Sequence, residues 1–173
     1  MKLQLAGIVA GAVMSLALGG HAGAAEIERV PLGAGAVPIA AAVVVPAGYD
    51  LVYLSGSTAP LVDKSAPAGS TQAYGGGTEA QAAAALDRQK ATLEGLGLSF
   101  GDVVAAHVFL VGDPAKGGEI DFAGLNAAWS RVFGAPGQPN KPARSTVKVV
   151  GLVAPGALVE IELIAARKPA GVR

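Results

Sequence analysis

Two segments near the end of the chain, Arg144–Val150 and Leu158–Ala166, alternate apolar and polar residues one by one. In an extended strand successive side chains point to opposite faces, so this alternation demands a sheet with two unlike sides. Val147 and Val149 share one side of the first segment, and Val159, Ile161 and Leu163 share one side of the second. Those aliphatics are expected to pack beneath helices. The opposite face then carries Arg144, Thr146 and Lys148 together with Glu160 and Glu162. Ala154-Pro155-Gly156 reads as the loop of a hairpin joining the two strands. A charged sheet face of this kind is either solvated, with cross-strand ion pairs, or covered by something else. Leu158 and Ile164 on the same face as the glutamates, and an arginine opening its strand after Pro142-Ala143, favour a cover, and a second copy of the protein is the economical one.

The preceding residues supply the rest of the layer. Glu26–Leu32 reads as a short first strand. Val37–Val45 is a continuous run of alanine and β-branched residues stopped by Pro46-Ala47-Gly48, and Tyr49–Ser55 resumes as its hairpin partner. Thr58–Gly77 is rich in Gly, Ser, Ala and Pro and reads as a long surface loop. Thr78-Glu79-Ala80-Gln81 matches a capping box opening a helix. Ala82, Leu86, Leu93 and Leu96 mark the apolar side of that helix, and Gly95 and Gly97 mark its end. Asp102–Val111 is apolar on both faces and reads as a buried strand, and Asp121–Phe133 as a second helix. Leaving the short first strand out of the count, the order is β-β-α-β-α-β-β: an α+β layer of two helices on one face of a mixed sheet.

With 51% hydrophobic residues in 173, the chain holds one compact domain and is not disordered. Thirteen Lys and Arg balance thirteen Asp and Glu, which leaves no electrostatic footprint for nucleic acid or an anionic membrane. The absence of cysteine excludes disulfides, thiolate metal sites and a cysteine nucleophile. Met1–Ala25 has a basic start at Lys2, an apolar stretch from Leu3 to Leu18 and small residues through Ala25. This is the layout of a cleavable secretory signal, and its apolar stretch is shorter than a membrane span. Residues 26–173 are then a single exported domain, expected in the periplasm, with no membrane attachment after cleavage.

At this point the chain resembles the Rid family of reactive intermediate deaminases, also called YjgF/YER057c/UK114. Pro142-Ala143-Arg144-Ser145-Thr146-Val147, followed by Val159-Glu160-Ile161-Glu162 and Ile164-Ala165, carries the most specific likeness. Val52-Tyr53-Leu54-Ser55-Gly56, Gly97-Leu98-Ser99, Asp102-Val103-Val104, Val108-Phe109-Leu110 and Phe122–Asn126 with Trp129 and Phe133 match further blocks in order. The likeness covers Ile27 to Lys168. It implies a chorismate-mutase-like fold and a homotrimer with ligand clefts between subunits. It also implies a carboxylate-binding role for Arg144, a water-positioning role for Glu160, and ligand contacts at Ser55, Gly56 and Asn126. Thr146 stands where the family has a cysteine, and Ile39 after Pro38 stands where many members have a tyrosine.

The implied reaction is hydrolysis of a 2-imino or enamino acid to a 2-oxo acid and ammonia, with no metal or organic cofactor. A guanidinium suits the carboxylate, since its planar fork makes charge-assisted bonds that fix orientation. A carboxylate at Glu160 suits the water and the proton traffic. The alternative is a non-catalytic binding module for small carboxylates such as 2-oxo acids. Some relatives are labelled ribonucleases, but neutral charge and few aromatics provide neither a phosphate stripe nor stacking platforms. His107 in its apolar strand reads as a satisfied core histidine, and Trp129 as a core or interface anchor. Gly75–Gly77 lacks the strand and lysine of a phosphate loop and reads as flexible chain.

Overall fold

The computed structural model describes residues 25–34 and 37–169, so the expected leader lies outside the described residues apart from Ala25. Among the described residues, no helix is long and apolar enough to cross a membrane. The strands are β1 (Glu28–Pro31), β2 (Ala40–Val44), β3 (Asp50–Thr58), β4 (Val103–Leu110), β5 (Ala143–Lys148) and β6 (Val159–Arg167). The α-helices are α1 (Thr78–Gly95) and α2 (Phe122–Trp129). They form one mixed sheet in the order β1-β2-β5-β4-β6-β3, and β4 and β5 run parallel. Both helices pack on one face, so the expected α+β layer is present, and the three strands read ahead of the first helix are β1, β2 and β3.

Neither expected hairpin forms. β4 lies between β5 and β6, parallel to the first and antiparallel to the second. Parallel neighbours need a long crossover, which α2 and its flanking loops supply. Residues 149–158, between β5 and β6, are enough chain to step over β4. β2 pairs with β1, and at Ala40 with β5, whereas β3 pairs with β6 at the far edge. Side chains hold the β1–β2 ribbon in place. Arg29 Nη2 donates to the carbonyls of Gly101 and Val103 at 2.9 and 3.0 Å, and Trp129 Nε1 donates to the Pro38 carbonyl at 2.9 Å.

The register also corrects the assignment of faces. On β4, Ala106, Val108 and Leu110 are almost wholly buried beneath the helices, and His107 between them is exposed. Arg144 pairs with Ala106 and Thr146 with Val108, so both belong to the helix-covered face. Glu162 pairs with His107 and Glu160 with Phe109, which puts both glutamates on the open face. Val147, expected in the core, is 47% exposed there. On β6 the expected phase holds, with Val159, Ile161 and Leu163 buried; on β5 it is reversed, because aromatic rings and an amide on α2 accept a guanidinium beneath the helix. β4 is accordingly covered on one face only, and His107 is not a core histidine: its Nδ1 stands 3.3 Å from Glu162 Oε2 in a half-exposed pair.

Leu86, Leu93, Leu125, Trp129 and Phe133 fill the space between helices and sheet against Val108, Ile161 and Leu163. Leu96 is not among them: it caps the C-terminus of α1 and is exposed, while Gly97 follows at φ +70°, a left-handed conformation that favours glycine. The capping box is absent. Gly77 is the N-cap of α1, and the buried Thr78 hydroxyl has no partner. Gln81, fully buried, instead donates from Nε2 to the carbonyls of Gly76 (2.8 Å) and Gly156 (3.2 Å) and accepts from Leu158 N–H at 2.8 Å. It fastens the start of α1 to the approach of β6. The 58–77 stretch is partly regular: β3 runs to Thr58, and a 3-10 turn at Thr71–Tyr74 is tied to the preceding loop by Val62 and Asp63 N–H groups donating to the Ala73 carbonyl. Gln81→Ala leaves the buried Leu158 N–H without its acceptor and should cost about 1–3 kcal/mol, read as a lower denaturant midpoint at unchanged slope.

Candidate functional site

Arg144 is the second residue of β5, after Pro142 and Ala143, and the pairing with Ala106 turns its side chain under α2. Its Nη2 donates to Asn126 Oδ1 at 2.8 Å. The guanidinium carbon lies 4.7 Å from the centre of the Trp129 ring and 5.7 Å from that of Phe122. Cation–π attraction offsets part of the cost of removing this charge from water. No carboxylate accompanies it among the described residues. Nε and Nη1 are shielded from solvent and have no hydrogen-bond partner, and neither does the adjoining Thr146 hydroxyl. Burial pulls the guanidinium pKa down from its ordinary value to about 10, which leaves it charged at neutral pH. A desolvated cation with orphaned donors is costly unless an anion completes it. The group therefore has the chemistry of a binding site for a small carboxylate. The sequence had flagged Arg144, Asn126 and Thr146; it had not shown that Trp129 and Phe122 face the cation.

Ser55, Gly56 and Glu160 come together elsewhere. In the β3–β6 ladder, Leu54 opposes Leu163 and Ser57 opposes Ile161, so Ser55 and Gly56 together oppose Glu162 alone. This is a β-bulge, a device that re-aims a strand near functional sites. The Glu160 carboxylate packs onto Gly56 so closely that a Cβ there would sit 1.9 Å from Oε1. Only glycine lets the two approach. The bulge is held from the helix side by Gln89 of α1, whose Nε2 donates to the Ser55 carbonyl at 3.0 Å and the Ile161 carbonyl at 2.7 Å. Ser55 also lines a cavity of about 250 Å³ on the open face with Tyr53, His107, Glu162 and Ile164. Sequence reasoning missed Gln89 altogether.

The two groups do not meet within one chain. Arg144, Asn126 and Thr146 lie on the helix-covered face, and Glu160 and Glu162 on the open face of the same sheet. The expectation that Arg144 and Glu160 share one face is overturned by this register. Among the described residues, no group of three or more His, Asp or Glu side chains could hold a metal ion.

Comparison with known proteins places the chain. The family model described as endoribonuclease L-PSP matches residues 37–167. A RutC family protein of Haemophilus influenzae is 44% identical over 89 residues, which are 51% of this chain and 63% of that relative; the match thus spans less than two thirds of the relative's length. Among solved structures, the Rid-family protein YyfB of Yersinia pestis, of unknown function, superposes with a TM-score of 0.59 at 20% identity, covering 82% of this chain and 98% of its own. RidA of an Antarctic Psychrobacter is 29% identical with a TM-score of 0.50, covering 80% of this chain and 94% of its own. The mixed sheet with two helices is the chorismate-mutase-like layer of these proteins. With most of the described residues inside the family match, the chain belongs to the endoribonuclease L-PSP family, the group also called Rid or YjgF/YER057c/UK114.

Proposed function

We propose that the protein hydrolyses 2-imino or enamino acids to 2-oxo acids and ammonia at sites assembled between copies of the chain. The observation that carries this reading is the buried Arg144 guanidinium, charged and with two of its three nitrogens unpartnered. A 2-imino acid presents a carboxylate next to an electrophilic C=N. Arg144, steadied by Asn126, takes the carboxylate, and the rings of Trp129 and Phe122 keep water from competing. Water adds to the carbon of the protonated imine, giving one proton to Glu160 as the C=N pair of electrons moves to nitrogen. Glu160 passes that proton to the amine nitrogen of the carbinolamine, the C–N bond breaks as ammonia leaves, and the hydroxyl proton goes to Glu160 as the C=O of the 2-oxo acid forms; ammonia then carries that proton away as ammonium. Placement of the water supplies much of the acceleration.

The opposed faces decide how such a site is built. Arg144 of one copy faces Glu160, Ser55 and Gly56 of another. A second copy would cover the open sheet face, where Tyr53 is 72% exposed and Leu51 and Val147 are each 47% exposed. A homotrimer, as the family resemblance implies, satisfies both requirements. The reading includes export, carried by Met1–Ala25, with the mature domain in the periplasm; N-terminal sequencing of the mature protein should begin near Glu26, and retention of Met1 would refute it. A non-catalytic carboxylate-binding role is the second reading. It is favoured by one feature: the Arg144 group is complete within a single chain, and the Glu160 group is not beside it.

Arg144→Ala should weaken binding of a 2-oxo acid by about 2–5 kcal/mol, measured by titration calorimetry, since the ligand's charge then faces no cation. Arg144→Met should raise the thermal stability of the ligand-free protein by about 1–3 kcal/mol, because an unpaired buried charge is replaced by an apolar chain. A lower midpoint would show that the guanidinium is satisfied as it stands. The folded pKa of Arg144 lies below its ordinary value, so the cost of keeping it charged persists below pH 10 and is relieved as pH rises through about 10. Affinity for the carboxylate should fall over that same range. Glu160→Gln should leave 2-oxo acid binding intact while slowing turnover of imines generated in situ by an amino-acid oxidase by about 10²–10⁴-fold. Undiminished turnover would remove Glu160 from the chemistry, and the absence of turnover in the unaltered protein would leave the binding role.

A further inference from the structure

We propose that Gln89 is a positioning residue for the Glu160 half of the site, an inference that rests on the imine-hydrolysis reading and extends it to a side chain beneath the sheet. Gln89 is 2% exposed, on the buried side of α1 with Thr78, Gln81, Ala82, Ala85, Leu86 and Leu93. A buried amide costs stability unless its polar atoms are used. The use is visible. Two residues of β3, Ser55 and Gly56, stand opposite one residue of β6, and the ladder breaks between Leu54 and Ser57. The Gln89 amide nitrogen reaches the Ser55 carbonyl on β3 and the Ile161 carbonyl on β6, so one donor group bridges both strands at the break.

The bridge ends one residue from each member of the pair it controls. Ser55 precedes Gly56, and Ile161 follows Glu160, whose carboxylate rests on Gly56. A shift of the bulge by a fraction of an ångström moves Gly56 against or away from that carboxylate. Gln89 touches neither substrate nor Glu160. It acts by fixing the backbone on which Glu160 and Ser55 are mounted. Arg144 and Asn126 stand on β5 and α2 and do not share this bridge. The structure therefore separates a residue that governs turnover from those that govern carboxylate affinity.

The test compares the full-length protein with Gln89→Met, which keeps the volume and removes the donors, and with Gln89→Glu if the methionine variant does not fold. Three quantities are read: kcat and KM for imines generated in situ, the Kd for a 2-oxo acid, and amide exchange at Gly56 and Ser57 relative to Leu86 and Leu93. The expected result is a kcat lower by about ten- to a hundredfold, the loss that a slightly misplaced reacting group brings. KM and Kd should stay within about twofold, since the Arg144 contacts are untouched. Exchange should quicken at Gly56 and Ser57 and not at Leu86 and Leu93. Unchanged kcat per folded molecule, or a loss confined to stability with no change in exchange at the bulge, overturns the proposal. If the unaltered protein hydrolyses no imine, the catalytic reading fails by itself, and the exchange comparison alone decides whether Gln89 holds the bulge.

Discussion

A positive charge beneath a helix, with no negative charge to meet it among the described residues, is the constraint around which this fold is arranged. Arg144 could have pointed to water from the open face; instead, pairing with Ala106 turns it under α2. Trp129, Phe122 and Asn126 make that location tolerable without neutralising it. Proteins retain such costs at sites where a ligand completes the arrangement, because stability and binding draw on the same unsatisfied groups. The orphaned Thr146 hydroxyl beside it belongs to the same account.

The second constraint is topological. A strand shows its neighbours opposite faces at successive residues, so β6 cannot present Ile161 to the core and Glu160 to the same side. The parallel pairing of β5 with β4 sets the phase that sends Arg144 the other way. One chain thus carries the two halves of the proposed site on the two sides of a single sheet. A layer with helices on one face leaves the other face open, and the exposed Tyr53, Leu51 and Val147 there suit contact with another copy. The bulge at Ser55–Gly56, bridged to β6 by Gln89, lies at the edge of that face.

Much of this was legible in the sequence, and the failures share a cause. Periodicity located α1, α2 and the strands, because spacing of apolar residues is a local property. Pairing is not local: Pro46-Ala47-Gly48 and Ala154-Pro155-Gly156 look like hairpin turns, yet β4 stands between β5 and β6, and β5, β4 and β6 stand between β2 and β3. The phase of β5 was misread because Val147 and Val149 look like core residues and Arg144 does not, and nothing in that segment reveals the rings of α2. The candidate residues Arg144, Asn126, Thr146, Ser55, Gly56 and Glu160 fell into two groups, not one, for that reason. Gln89 had left a trace: it lies three residues after Leu86 and four before Leu93, where an amphipathic helix normally has an apolar side chain. His107 was assigned to the core on the apolarity of its neighbours, although alternation along β4 exposes it.

The most direct measurement of the central claim is complementation between two inactive chains. Arg144→Ala and Glu160→Gln proteins are purified separately, mixed under conditions that exchange subunits, and assayed for imine hydrolysis. If each site takes its guanidinium from one copy and its carboxylate from another, random mixing rebuilds about a quarter of the sites with both groups intact, and activity returns in that proportion. Activity that stays at the level of the separate variants, with subunit exchange verified, would contradict an account in which Arg144 and Glu160 act together across a seam.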